Sequence, residues 1–341
     1  MQTQTLSDSL PPAPARAVDA AGAPAFGTYQ GTIPHVSWET LRDPYRRPRL
    51  WRYLHQKRWQ YVGLASPACY IGIAIVDIGW AATAFAYCFD RVERRVVAEF
   101  SAMGVPGLMA AVGGSPGEGA HAYFGSLTGT IRLSRLPGTG NYELNLHTPT
   151  GLTVAVEISA LTAPPTLSAV VPIAGGVANC THKSGALRVR GDATVHGRTY
   201  PLSEATASLD HTVGLLARDT HWQWASAHSP GLGFNLQAGF NGGHENGLWL
   251  DGDLIRLGAA EFTFDAADPL APWQIRTSDG LLDLTFQPEG LRREDKNLIV
   301  AVSRYVQPIG TFSGTVRRHA DEPARQVADL LGVTEDHHAR W

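Results

Sequence analysis

The stretch YIGIAIVDIGWAATAFAYCFD, residues 70–90, constrains the fold more than any other part of the chain. It is apolar over roughly the 20 residues a membrane-crossing helix needs, but Asp77 sits near its middle, where a carboxylate costs on the order of 3 kcal/mol. Side-chain size decides between helix and strand. Ile71, Ile73 and Ile75 alternate with Gly72, Ala74 and Val76, and Thr83, Phe85, Tyr87 and Phe89 alternate with Ala82, Ala84, Ala86 and Cys88. A helix of period 3.6 gains nothing from such alternation, whereas a sheet buried on both sides uses one bulky and one thin face. The stretch therefore reads as two strands broken near Asp77, Ile78 and Gly79, with Asp77 expected to pair with an arginine.

Composition agrees with a β protein. Of 341 residues only 17% are charged, the net charge is −3, and Gly at 36 and Pro at 22 favour short strands joined by turns. No broad basic excess is present to follow a phosphate backbone, so nucleic acid is not an expected partner. The exception is the basic run at 42–58, RDPYRRPRLWRYLHQKR. It reads as a solvated lead-in whose Arg and Lys stems lie over the sheet, with peripheral contact to an anionic membrane surface as the alternative. Cys69, Cys88 and Cys180 are odd in number and form no CxxC pair, which argues against a disulfide framework or a zinc knuckle. The first residues lack a basic segment followed by an apolar run; they read as a disordered Pro/Ala tail over 1–34, and the expected location is the cytoplasm.

From about residue 50 short alternating segments are separated by Gly, Pro, Asn and Asp clusters. The Pro- and Gly-rich TAPPTLSAVVPIAGG places a boundary between an N-terminal half, 35–165, and a C-terminal half, 166–320. Only DEPARQVADLLG looks helical, giving a short helix and tail over 321–341. The expected fold is all-β, two antiparallel barrel or sandwich halves with that C-terminal helix. No βαβ alternation supports a Rossmann or TIM architecture.

Aromatic and acidic residues concentrate in DTHWQWASAHSPGLGFNLQAGFNGGHENGLWLDGDLIRL. Trp222 and Trp224 share one strand face, as do Trp249 and Asp251, and each member of the second pair follows its counterpart by 27 residues. If both strands line one cavity, three indoles and a carboxylate surround a single space. A carboxylic acid in an apolar pocket resists ionisation and can act as a Brønsted acid, while indole faces stabilise cations by about 2 kcal/mol when desolvated. The competing reading makes the tryptophans core and LDGD a turn capped by Asp251 or Asp253. Glu245 and Asn246 reach the same mouth or belong to a hairpin turn. His182 orients the acid or is a structural imidazole. Asp210 and His211 are adjacent and point to opposite faces, so they form no dyad. EDHHARW holds four metal-ligand types, but consecutive ligands rarely converge on one ion, and no metal is assigned.

Several motifs in order, KRWQYVGL, VDIGW, THKSG, HWQWAS, ENGLWLDG and GVTEDHHARW, resemble a large family catalogued only as a domain of unknown function, from about residue 50 to the end. That family is distantly similar to the lipocalin-like carotenoid 1,2-hydratases and related isoprenoid cyclases, built from two β-barrel halves. The resemblance implies a lipocalin-like fold and a site in which Trp224 and Asp251 match the hydratase tryptophan and proton-donating aspartate. Trp222 and Trp249 stand where the hydratases have histidine and tyrosine. The implied activity is a cofactor-independent, acid-catalysed cyclisation, hydration or isomerisation of an apolar isoprenoid or lipid through a carbocation. The alternative is a lipocalin-like module that binds such a molecule without transforming it.

Overall fold

In the computed structural model, which describes residues 9–297 and 302–341, the stretch 70–90 forms two antiparallel strands, Cys69–Asp77 and Ala82–Asp90. Their register explains the size alternation. Ile71, Ile73 and Ile75 lie opposite Cys88, Ala86 and Ala84 on one face, while Gly72 and Ala74 lie opposite Tyr87 and Phe85 on the other. Each bulky side chain thus sits beside a thin one. Gly72 has no room to be larger, since a Cβ there would stand 2.4 Å from Tyr87 Cε1. Asp77 does not pair with an arginine; its Oδ1 accepts the Gly79 N–H at 2.8 Å and closes the turn. Among the described residues no helix is long and apolar enough to cross a membrane.

All strand pairs in the two sheets are antiparallel. One fourteen-stranded sheet runs from Arg95–Gly104 through Cys69–Asp77, Gln56–Ala65, Thr206–Leu215 and Ala178–Val195 to Ala110–Val112. It curls until its two ends share one core, where the rings of Phe100 and Phe124 meet at 6.2 Å and the three isoleucines are buried. The second sheet has nine strands, with Asp219–Ser229, Arg325–Arg340 and Val302–Val316 adjacent at its centre. Its own core gathers Phe234, Trp273, Phe286 and Phe312. The two sheets meet through the aromatic face of the 70–90 hairpin: Tyr70, Tyr87 and Phe89 pack with Ile309, Leu331 and Val333. Full burial of each such side chain contributes about 1.5–3 kcal/mol, which is why that hairpin is apolar on both faces.

Three expectations need correction. The C-terminal helix is absent: Arg325–Arg340 is a 16-residue strand. Its pairing with Val302–Val316 slips between Phe312 and Gly314, so that Leu330 meets Phe312 and Val327 meets Gly314, with Asp329 at φ 51° between them. This bulge brings Val327 and Leu330 into one core at a spacing of three, which imitates a helical period. The disordered tail is also overturned for residues 9–34, while residues 1–8 lie outside the described residues. Ala17, Val18 and Ile33 are buried with Trp38 against Val170, Cys180 and Val213, and Gly27–Gln30 pairs with Leu167–Pro172. Finally, the division at 165/166 falls inside the first sheet, because Leu152–Ser159 pairs with Ala178–Val195 across it. The chain passes to the second sheet between Leu215 and Asp219, and residues 325–340 return to that sheet's centre. Of the segment KNLIVAVSRYVQPIGTFSGTVR, residues 298–301 lie outside the described residues; Val302–Val316 is a strand.

Candidate active site

Where the two sheets face each other they leave a hollow of about 100 Å³ that opens to solvent. Trp59 and Tyr61 come from the first sheet, two residues apart on Gln56–Ala65 and therefore on one face. Trp222 and Trp224 face them from Asp219–Ser229: Trp59 stacks with Trp222 at 6.5 Å between ring centres, and Tyr61 meets Trp224 edge-on at 5.5 Å. Phe85, Phe240, Tyr305 and Trp341 complete the aromatic lining. A second apolar hollow shares Val76, Phe85, Tyr305, His337 and Trp341 with the first and extends to Trp80, Met103 and Arg340.

One carboxylate stands in this aromatic wall with no lysine or arginine beside it among the described residues. Antiparallel pairing sets Glu335 against Trp224 and His337 against Trp222. Trp222 Nε1–H donates to Glu335 Oε1 at 2.8 Å, and Gln307 Nε2–H donates to Oε2 at 3.0 Å. His337 Nδ1 lies 3.5 Å from Oε1, and its Nε2 meets Ser303 Oγ at 3.0 Å. Two hydrogen bonds thus occupy two of the carboxylate's roughly four lone-pair directions, with the His337 ring close to Oε1. Gln307 is fixed in turn by Tyr87, whose hydroxyl donates to its Oε1. Burial pushes the phenols of Tyr61, Tyr70, Tyr87 and Tyr305 up, so all four remain protonated at neutral pH.

At the other end Lys183 Nζ lies 2.7 Å from Asp210 Oδ2 and 3.1 Å from Glu245 Oε2, all three buried or nearly so. Burial alone would lower the ammonium, but the Asp210 and Glu245 carboxylates prevail and raise it, so the lysine is a fixed cation. Trp59 Nε1–H points to Asp210 at 3.4 Å.

The structure brings together half of the expected site. Trp222, Trp224 and Glu245 line the hollow; Asn246 braces it from behind, accepting the Gln237 N–H at 2.7 Å and donating to Gly258 O at 2.9 Å. Asp251 does not belong. It occupies an exposed turn at φ 53°, where a hydrogen bond from Arg325 at 2.8 Å, aided by Arg318, holds its carboxyl below the usual range. Trp249 is buried elsewhere, donating to Pro165 O at 2.7 Å and meeting the His228 ring at 5.2 Å. The reason is register. On the intervening strand Trp222 stands opposite Gly239 and Trp249 opposite Gly233, six residues and about 20 Å apart. His182 is corrected as well: its Nε2 accepts the Ile33 N–H at 3.1 Å, burial drives its pKa well down, and it borders a separate polar hollow with His211. Asp210 and His211 do point to opposite faces, the first into the aromatic hollow and the second into the polar one.

The sequence reading weighed EDHHARW only as a set of metal ligands and did not place Glu335, His337 or Trp341 in this site, yet Glu335, His337, Ala339 and Trp341 follow each other at every second position, the period of one strand face. The helical reading of the preceding residues hid that alternation. Among the described residues no three His, Cys, Asp or Glu side chains converge as metal ligands.

Two facing curled antiparallel sheets with a hollow between them define a lipocalin-like protein of two β halves. The chain belongs to the family described as Domain of unknown function (DUF2804), which matches residues 12–341. No curated protein matches it. Among solved structures it is similar in fold to CghA with Sch210972, at TM-score 0.55 and 11% identity, covering 84% of this chain and 88% of that one. An AttH-type protein from Nitrosomonas europaea follows at TM-score 0.51 and 13% identity, covering 90% of this chain and 98% of that one. Kievitone hydratase from Nectria haematococca reaches TM-score 0.49 at 12% identity over 84% and 88%, too loose a likeness to carry an argument.

Proposed function

We propose that the hollow between the sheets binds an apolar isoprenoid or lipid and transforms it by acid catalysis, with Glu335 as the proton-exchanging group. The observation that carries this reading is one carboxylate, held by neutral donors and by His337, set in a wall of indoles and phenols. A proton passes from the Glu335 carboxyl to an unsaturated or oxygenated carbon skeleton. The cation so formed is sheltered by the faces of Trp222, Trp224 and Trp59, an attraction of about 2 kcal/mol when water is excluded. Return of a proton to the carboxylate completes an isomerisation or cyclisation, and capture of water, whose released proton goes back to the carboxylate, completes a hydration. These side chains supply every group that the steps require. The test is isotope incorporation from deuterated water into candidate isoprenoids, with wild type and Glu335→Gln side by side. Labelling that persists in the variant removes Glu335 from the chemistry. Tight binding with no labelling or conversion across a broad panel favours a carrier, a reading that the internally satisfied indole N–H groups of Trp222 and Trp224 also suit, because they make a rigid box.

A further inference from the structure

The hollow treats its polar groups in two ways. The indole N–H groups of Trp59, Trp222 and Trp224 each point to an acceptor of the chain, and the Tyr61 hydroxyl meets Tyr70 at 2.9 Å. The Tyr305 hydroxyl, the Trp341 Nε1–H and both ends of the Gln237 amide are buried with no hydrogen-bond partner among the described residues. Tyr305 is 5% exposed and Gln237 2%, and all three residues line the hollow. Buried polar atoms left unpaired are costly, and a site containing several of them rejects a molecule that offers them nothing.

The unpaired donors are not scattered. The Tyr305 ring stands 5.2 Å from His337, whose ring is 4.2 Å from Trp222, and Trp222 is in turn 6.3 Å from Trp341. One free donor, Tyr305, therefore stands against His337, the neighbour of Glu335, and a second, Trp341, stands against Trp222. Gln237, across from Trp224 in register, offers one donor and one acceptor at a further point of the wall.

We infer that the molecule this hollow takes is an oxygenated hydrocarbon, with a carbonyl oxygen accepting from Tyr305 beside His337 and Glu335 and further polar groups facing Trp341 and Gln237. This rests on the reading of the hollow as the binding site, and it narrows the substrate from hydrocarbons in general to ketones, aldehydes or acids. It also assigns a specificity role to Tyr305 and Trp341: their hydrogen bonds set which end of the molecule lies at the carboxylate.

Carvone and limonene share a carbon skeleton and differ by one carbonyl, so calorimetric titration of both measures the effect apart from turnover. The preference for carvone, corrected for the partition of each probe from water, is expected to be about tenfold in the wild type and to fall to near unity in Tyr305→Phe. Trp341→Phe, at the end of the chain, should reduce it by a fewfold and serves as the second variant should Tyr305→Phe fail to fold. A wild type that prefers limonene, or a carvone preference that survives both substitutions, overturns the inference while leaving the hollow as a binding site. Failure of the wild type to bind either probe overturns both.

Discussion

Removing the Glu335 carboxylate should separate its structural from its chemical role. In Glu335→Ala the Trp222 indole N–H and one Gln307 amide N–H lose their acceptor inside a buried wall. Each orphaned donor costs about 1–3 kcal/mol, so the variant should lose about 2–6 kcal/mol of a total that is about 5–15 kcal/mol for a folded domain. Glu335→Gln keeps one oxygen for Trp222. Its new NH₂ group must face Gln307, which can answer by rotating its amide to present Oε1; Gln307 Nε2 then meets the Tyr87 hydroxyl, which can turn and accept. That exchange sacrifices roughly one hydrogen bond, or about 1 kcal/mol. Turnover should not follow this order. Neither alanine nor an amide carries an acidic proton, so both variants should lose two to four decades of rate, about the scale for deleting a general acid. Urea denaturation read by tryptophan fluorescence gives the first ranking, and deuterium incorporation gives the second. An alanine variant as stable as the wild type would refute the hydrogen-bonded wall, and undiminished labelling in the glutamine variant would refute the proton role.

Acid should destabilise the fold through its buried imidazoles. Burial depresses His228 to about 3 and His211 to about 4, below the 6.5 of the unfolded chain. The folded forms stay neutral while the unfolded chain protonates, so stability is complete above the unfolded value and is lost as pH falls toward the folded ones. Between about pH 8 and about pH 5 each costs roughly 2 kcal/mol, from about 1.5 units at about 1.4 kcal/mol per unit; His228→Leu should remove its share, and an unchanged pH difference in urea melts would contradict this. Asp251→Asn should leave turnover at the wild-type level, because the carboxyl lies in an exposed turn with Arg318 and Arg325; a loss of a decade or more in the labelling assay would restore it to the mechanism. The basic run forms the helix Arg49–His55, which buries none of its residues and exposes Leu50, Tyr53 and Leu54 beside Arg46 and Arg49. At about 1 kcal/mol per basic residue near an anionic surface, we propose that it sediments with phosphatidylserine vesicles and is released by salt or by the double substitution Arg46→Glu and Arg49→Glu; binding that ignores lipid charge, or no binding, speaks against it.

The β class was legible because strand periodicity is local: the alternation at 70–90 needs only neighbouring residues to be read, and so does the pair Trp222 with Trp224. Two features were not. Strand register is a long-range quantity, and equal sequence spacing did not place Trp249 and Asp251 beside Trp222 and Trp224, because a hairpin set the pairs about 20 Å apart along one strand. A bulge changes the face of every residue beyond it, so Val327 and Leu330 read as one side of a helix and concealed the strand that carries Glu335 and His337. The ordered N-terminal segment was hidden for a related reason. Ala17, Val18 and Ile33 are too sparse to announce a core, and they are buried only because Trp38 and the Val170 and Cys180 strands lie ready to cover them.

Two carboxylate groupings border the hollow, and their partners decide between them. Asp210 and Glu245 both neutralise Lys183, whose ammonium they hold above its ordinary range. A proton given to either carboxylate would break half of that buried arrangement and leave part of the lysine charge uncompensated, which is among the more costly changes a protein interior can undergo. Glu335 has no lysine or arginine against it among the described residues; Trp222 and Gln307 are neutral donors, and the His337 ring stands 3.5 Å away. Changing the charge of Glu335 therefore disturbs hydrogen bonds rather than a locked cation. On the proposed reading, proton traffic belongs to the Glu335 end, where Tyr305 also keeps its unpaired donor, and the Lys183 end serves as the fixed floor that holds Trp59.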